Sequence, residues 1–160
     1  MSGPPAQTGS VAIRVREYQP QDFDVLCDID RACYEPAIAY SRREMRAYLN
    51  GPGSDCIVVE HGDRIAGFCI TARRKRQAYI ITIDVLEPFR KRGIGTALLT
   101  EVETRLAAHG ARVIALDTAT DNFAAIAFWQ RHGYRKIGVR RAYYPNGRDA
   151  FAMIKTLSRE

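Results

Sequence analysis

The stretch that most restricts what this chain can fold into runs from Tyr79 to Gly110. Tyr79-Ile80-Ile81-Thr82-Ile83-Asp84-Val85 is β-branched and almost wholly apolar, the composition of a strand covered on both faces and central in its sheet. It leads through Arg90-Lys91-Arg92 into Gly93-Ile94-Gly95-Thr96. From there Ile94, Leu98, Val102 and Leu106 recur every fourth residue up to Gly110, which predicts an amphipathic helix closed by a C-terminal glycine. A buried strand feeding a long helix belongs to a layered α/β fold. Two glycines one residue apart let the backbone approach a ligand, and free N–H groups at a helix start attract an anion. With three cations beside it, the segment from Arg90 to Thr96 reads as a phosphate or pyrophosphate seat.

The remaining elements follow from periodicity and punctuation. Val11, Ile13 and Val15 alternate as a strand that ends before Pro20, and Phe23, Leu26, Cys27 and Ile29 then take helical spacing as far as Glu35-Pro36. Ser41-Arg42-Arg43-Glu44 has the form of a capping box and opens a helix that runs to Asn50-Gly51-Pro52. Cys56–Val59 and Ile65–Ile70 pair around His61-Gly62-Asp63-Arg64. Val113–Leu116 is a strand, Asn122 to His132 a helix closed by Gly133, and a hairpin turning at Asn146-Gly147 joins strands over about Tyr134–Tyr143 and Ala150–Leu157. The order is β-α-α-β-β-β-α-β-α-β-β, a mixed sheet with helices on both faces. The chain's 160 residues suit one domain over 11–160, with residues 1–10, rich in Gly, Pro and Ser, as a loose tail.

Composition excludes some classes and leaves others open. Cys27, Cys33, Cys56 and Cys69 form no C-x-x-C pair, and His61, His109 and His132 lie far apart, so reduced thiols and no metal site are expected. No apolar run approaches the ~20 residues of a membrane span, and no secretion signal opens the chain, so a cytoplasmic protein is expected. The net charge of +6, from 24 basic and 18 acidic residues, favours a polyanionic ligand without separating nucleic acid from a phosphorylated cofactor. Arg73-Arg74-Lys75-Arg76 reads as a solvated turn or as a surface for an acidic or ribosomal partner.

Three phosphate motifs compete for the glycine turn. G-x-x-x-x-G-K-[ST] is absent, and a dinucleotide fingerprint requires a small residue where Leu98 stands, although Asp117 lies at the distance of a ribose-binding acid. The third pattern, R-x-x-G-x-G, is met by Arg90, Gly93 and Gly95. With the strand before it, the helix after it, Asn122, and Ala127-Phe128-Trp129-Gln130-Arg131-His132-Gly133-Tyr134, the chain resembles the GCN5-related N-acetyltransferases (GNAT), best from Tyr79 to about Leu157. The resemblance implies a seven-stranded, mostly antiparallel mixed sheet with a splayed central strand and four helices on its two faces. It implies acetyl-coenzyme A as cofactor, held by Ile83, Asp84 and Val85 and by Arg90, Lys91, Arg92, Gly93, Ile94, Gly95 and Thr96, with Asn122 and Trp129 also against it.

Within the family the chain looks most like the RimI type, which acetylates protein N-termini, because Arg140-Arg141-Ala142-Tyr143-Tyr144-Pro145 matches the hairpin that holds the substrate backbone with paired tyrosines. Tyr79-Ile80-Ile81-Thr82 also looks like the strand of NatE-type subunits whose tyrosine takes part in catalysis, and Tyr34 and Tyr40 fall where the family places its peptide wall, or are ordinary loop aromatics. The implied partner is a protein or peptide N-terminus, a ribosomal protein among the candidates, with neither a membrane nor a nucleic acid as substrate. Asp117 matches the position of the catalytic base, acting through water; its other reading is a helix-capping or turn aspartate. Tyr79 either holds the same water or is a strand-face aromatic. Trp129 stands where family members carry an acidic tyrosine, and an indole N–H cannot supply that proton, so either Tyr144 serves or the thiolate leaves unassisted; Trp129 then walls the cofactor channel or packs in the core. Asn122 contacts the cofactor, caps its helix, or does both. The leading expectation is acetyl transfer to an N-terminal α-amine by direct attack in a ternary complex. The alternatives are transfer to lysine side chains or small amines, and a non-catalytic coenzyme A-binding module that docks on RNA or the ribosome.

Overall fold

The computed structural model describes residues 11–158, so the tail read over 1–10 lies outside the described residues. Its elements are β1 (Ile13–Glu17), α1 (Phe23–Cys33), α2 (Arg42–Leu49), β2 (Ser54–His61), β3 (Arg64–Arg74), β4 (Gln77–Val85), α3 (Ile94–Ala108), β5 (Val113–Ala119), α4 (Phe123–Arg131), β6 (Arg135–Arg140) and β7 (Ala150–Thr156). One seven-stranded sheet orders them β1-β2-β3-β4-β5-β7-β6. Every pairing is antiparallel except β4 with β5. The mixed sheet expected from the sequence is therefore the observed one.

The helix boundaries have local causes. Pro20 lies in a short 3₁₀ turn over Pro20–Asp22, and α1 starts at Phe23. The Asp22 carboxylate accepts the Gln19 N–H at 2.8 Å and the Arg16 guanidinium at 2.8 Å, which locks this entry. At α2 the capping box forms in both directions: Ser41 Oγ accepts from the Glu44 N–H at 3.1 Å, and Glu44 Oε1 accepts from the Ser41 N–H at 3.0 Å. Two cores sandwich the sheet. Leu26, Met45, Phe68 and Ile70 pack under α1 and α2; Ile94, Leu98, Leu99, Ile114 and Met153 pack between the sheet and α3. Fully burying each such side chain contributes about 1.5–3 kcal/mol. The four cysteines are free thiols, three buried and Cys33 half-buried.

Two departures from expectation shape the site. β4 is not covered equally on both faces. A β-bulge at Ile81, where Thr71 pairs with Ile80 and Ile70 with Thr82, breaks the alternation. Ile80 before the bulge and Ile83 and Val85 after it pack toward α3, whereas Tyr79 and Ile81 are half-buried at a cavity on the α1–α2 side. The strand read from Tyr134 to Tyr143 is also shorter, ending at Arg140 opposite Ala150. Ala142 takes a positive φ of 49°, and the Asp149 carboxylate accepts its N–H at 2.8 Å, so residues 141–149 form a loop in which Asn146-Gly147 is only one turn. That loop, rather than a strand, carries Tyr143 and Tyr144.

Candidate active site

β4 and β5 are hydrogen-bonded neighbours only at Gln77–Val113, Ala78–Ile114 and Tyr79–Ala115. Beyond Tyr79 the strands part, so the β5-facing backbone edge of Ile80 to Val85 is free of strand pairing. This is the splay expected of the central strand. A cavity of about 350 Å³ lies on the α1–α2 side, between Tyr40 and Tyr48, the floor residues Ala72, Tyr79 and Ile81, and Asp117, Tyr143 and Tyr144. Among the described residues one carboxylate and five tyrosines line it, with no cationic side chain.

Asp117 lies within β5, opposite Ala152, and caps no helix. Its side chain is only 5% exposed and both oxygens are engaged. Oδ1 accepts from Arg140 Nε at 2.8 Å, and Oδ2 accepts from the Tyr79 hydroxyl. Tyr79 Oη in turn lies 3.4 Å from Tyr143 Oη. Burial first, then the Asp117 and Tyr143 oxygens, push the Tyr79 phenol well above its ordinary range, so it stays a donor to Asp117 with its lone pairs available to the cavity. Tyr143 and Tyr144 meet edge to face, with centroids 5.0 Å apart and planes at 90°. Burial, then Tyr143 and Asp117, push the Tyr144 phenol up to about 12.

The loop before α2 forms the opposite wall. The Tyr40 ring tilts against Tyr48 at 4.8 Å, and its hydroxyl reaches the Ile81 carbonyl at 3.4 Å. Tyr34 does not line this cavity; its hydroxyl sits against Thr82 and Asp84, and burial drives its pKa upward. The two flanking loops are tied together. Asn146 Nδ2 donates to Glu35 Oε1 at 2.7 Å, and the Arg148 guanidinium bridges Glu35 at 3.1 Å and Asp121 at 3.3 Å.

The segment expected to seat an anion lies where β4 runs into α3. Gly93 is the N-cap, with φ of 78°, and Lys91 also has a positive φ, 61°, a backbone pose that costs a non-glycine residue about 1–2 kcal/mol. The first helical bond runs from the Ala97 N–H to the Gly93 carbonyl at 2.9 Å, so the N–H groups of Ile94, Gly95 and Thr96 precede it without an intrahelical acceptor. Arg90, Lys91 and Arg92 are exposed beside them, while the Ile94 side chain is buried and offers only backbone. A Cβ on Gly95 would stand 3.3 Å from the Phe128 ring, so α3 and α4 need glycine there to pack closely. Arg90 Nε donates to the Val85 carbonyl at 2.8 Å across the mouth of the splay. Asn122 Oδ1 caps α4 by accepting the Ala125 N–H at 3.2 Å. Trp129 is 5% exposed and packs edge-on to Phe128 and Tyr134, each at 5.1 Å, which places it in the core beneath α4. Among the described residues no cluster of three His, Cys, Asp or Glu side chains suits a metal ion.

Sequence reasoning missed Arg140 as the partner of Asp117, Tyr48 as a wall of the cavity, and His132, whose Nε2 lies 3.1 Å from Thr96 Oγ1. Tyr48 falls eight residues after Tyr40, a spacing that carries no signal before the loop geometry is known. Arg140 is twenty-three residues from Asp117, and only the β5-β7-β6 strand order brings the two together.

The acetyltransferase (GNAT) family pattern matches residues 23–134. Among curated relatives, the N-alpha-acetyltransferase of Sulfolobus acidocaldarius is 34% identical over 83 residues, covering 51% of this chain and 49% of the relative. The chain thus spans about half the length of that relative. The [Ribosomal protein bS18]-alanine N-acetyltransferase of Escherichia coli K12 is 30% identical over 129 residues, 72% of this chain and 87% of the relative. Among solved structures, the ribosomal-protein-S18-alanine N-acetyltransferase from Escherichia coli superposes with a TM-score of 0.84 at 24% identity, over 93% of this chain and 96% of that one. This last likeness establishes the fold.

Proposed function

The chain belongs to the acetyltransferase (GNAT) family, and on that premise we propose that it transfers the acetyl group of acetyl-coenzyme A to the N-terminal α-amine of a protein or peptide, by direct attack in a ternary complex. The observation that carries this reading is the cavity beside the strand splay, whose single carboxylate, Asp117, is bonded to Tyr79 under the Tyr143–Tyr144 loop. The cofactor's phosphates fit the chain's own donors: the three leading N–H groups of α3 and the exposed Arg90, Lys91 and Arg92. The free edge of β4 from Ile83 to Val85 fits an amide-bearing arm. Bound acetyl-coenzyme A supplies an acetyl group activated as a thioester.

The chain's residues then have separable tasks. Tyr79, donating to Asp117, presents an oxygen that accepts a hydrogen bond from an ammonium or from a water beside it. Asp117 receives the proton through that water, and Arg140 holds the carboxylate in place. An α-amine, at pKa about 7.7–8.0 against about 10.4 for lysine, gives up its proton more easily by about 3–4 kcal/mol, so a relayed carboxylate suffices. Tyr144 stays protonated at neutral pH and can donate a hydrogen bond to a developing thiolate. Complete transfer from a phenol near 12 to a thiolate whose acid is near 8.5 would run uphill by about 3–4 pKa units, so Tyr144 stabilises the leaving group without replacing its proton. Tyr40, Tyr143 and Tyr144 wall the acceptor backbone.

A ribosomal-protein N-terminus, acetylated in the cytoplasm, is the finer form of the proposal, supported by the likeness to the bS18-alanine enzyme. The test is coenzyme A release with a panel of peptides bearing free N-termini, N-terminally blocked lysine peptides, and polyamines. Turnover with free N-termini and loss on blocking them is expected; turnover confined to lysine peptides or polyamines refutes the acceptor class, and retained coenzyme A binding without any turnover points to a binding module.

A further inference from the structure

The most unusual chemistry outside the cavity is a pair of acids in the α1–α2 core. Asp30, in the last turn of α1, is 0% exposed, and Asp84, near the end of β4, is 1% exposed. Each spends one oxygen on a fixed donor. Asp30 Oδ2 accepts the Tyr40 N–H at 2.7 Å, and Asp84 Oδ1 accepts the Thr82 hydroxyl at 2.6 Å. The other two oxygens, Asp30 Oδ1 and Asp84 Oδ2, are buried with no other donor, and the two carboxyls are within hydrogen-bonding reach of each other.

Among the described residues the surroundings supply no compensating cation. Facing the pair are Cys33 from α1, Tyr34 and Tyr40 from the loop, Glu44 from α2 and Cys56 from β2, while Cys69 of β3 points to the opposite, α3 side of the sheet. The nearby guanidinium, Arg90, donates to the Val85 carbonyl, which also accepts from the Cys33 thiol. Among the described residues neither aspartate takes part in a salt bridge. Two carboxylates in contact and out of water cannot both be ionised. Burial and the neighbouring carboxyl push Asp84 well above the usual range, and burial raises Asp30.

We infer that Asp30 and Asp84 share one proton and act together as positioning residues for acetyl transfer, an O–H···O bond between them fastening the loop that carries Tyr40 onto the central strand. The inference rests on the cavity being the acceptor site. Through Asp30 the bond reaches the Tyr40 backbone and so the cavity wall; through Asp84 it reaches the segment from Ile83 to Val85 at the splay. The proton sits between Asp30 Oδ1 and Asp84 Oδ2 and is lost to solvent when the pair ionises. What remains is two buried anions, which separate and release the loop.

The sign of the pH dependence follows. A pair whose folded-state pKa lies above that of the unfolded aspartates, about 3.9, contributes stability that is complete below that value and is lost as pH rises through the folded value. The wild-type melting temperature should therefore fall as the pH is raised above the ordinary aspartate range, and over the same rise the acceptor KM, expressed on the neutral amine, should increase about five- to tenfold, the scale of one lost buried hydrogen bond. Asp30→Asn is the decisive variant. Its amide oxygen still accepts the Tyr40 N–H, and its NH₂ donates to the Asp84 carboxylate, a bond that ionisation of Asp84 strengthens rather than breaks. D30N should hold the low-pH acceptor KM across the range and flatten the melting slope, while hydrogen-exchange protection over residues 34–40, taken relative to the intrinsic rate at each pH, falls with pH in the wild type alone. Asp30→Ala should raise the acceptor KM at every pH.

Equal melting slopes in the wild type and D30N overturn the shared proton. A slope that D30N removes while the wild-type acceptor KM stays flat overturns the positioning role. Melting and exchange are read without acceptor, so they distinguish failure of the pair from failure of the peptide-acceptor proposal.

Discussion

Replacing Asp117 with asparagine tests the proposed proton path with little disturbance of the fold. The amide keeps the shape and still accepts from Tyr79, and the lost partner, Arg140, has a side chain 57% exposed. A pair open to solvent on one side contributes under about 1 kcal/mol, so the melting temperature should move by no more than about 2–4 °C. Turnover should behave differently. An acid–base group contributes about 10²–10⁴-fold, and one acting through water with its geometry preserved belongs at the lower end, so kcat/KM should fall about 100-fold at neutral pH. The deficit should shrink above about pH 8, where the α-amine arrives already neutral. Removing the Tyr79 hydroxyl in Y79F takes away the other holder of the same water, so D117N/Y79F should be little worse than the poorer single variant. Continuous thiol detection of released coenzyme A from pH 6 to 9, beside thermal melts of the same preparations, decides the matter. D117N within twofold of wild type at pH 7, with an unchanged melt, would make Asp117 a support for Arg140 and Tyr79 and refute the path.

Other perturbations separate packing from binding. Trp129→Phe removes part of a core ring wedged between Phe128 and Tyr134, so it should lower stability by about 1–3 kcal/mol while leaving the KM for acetyl-coenzyme A within about twofold; a selective rise in that KM without destabilisation would return the indole to the cofactor channel. Gly93→Ala meets no atom within 4 Å, but its φ of 78° disfavours any Cβ, so a stability loss of about 1–2 kcal/mol and a weaker acetyl-coenzyme A affinity by calorimetry are expected; unchanged affinity would detach the α3 N-terminus from phosphate binding.

Local physics made much of the fold legible. The Ser41–Glu44 box, the glycine after α3 and the asparagine before α4 each announce a helix end through a bond between near neighbours, and the structure contains all three ends. The R-x-x-G-x-G turn was equally local. What escaped depends on long range. The bulge at Ile81 cannot be read from a run of β-branched residues, yet it sends Tyr79 and Asp84 to the same side of the sheet. The end of β6 at Arg140 depends on Asp149 capturing the Ala142 N–H. Whether Trp129 met a ligand or the core depended on Tyr134, which follows α4 and turns back beneath it. Asp30 looked like any polar residue at the end of an amphipathic helix, because its counterpart lies fifty-four positions away.

The three residue pairs that join β4 to β5 make the sheet two plates sharing a short seam. On one side stand β1 to β4, on the other β5, β7 and β6, and past Tyr79 the plates face each other across a wedge without a backbone ladder. An arm lying in that wedge works as mortar, bonding to exposed amides of one plate while resting on the other. Occupancy then becomes part of the protein's cohesion: at a hundredfold excess over Kd, a ligand confined to the folded state adds about 2.7 kcal/mol. On the proposed function, in a cell short of the acyl donor the molecule would be a looser object as well as an idle one.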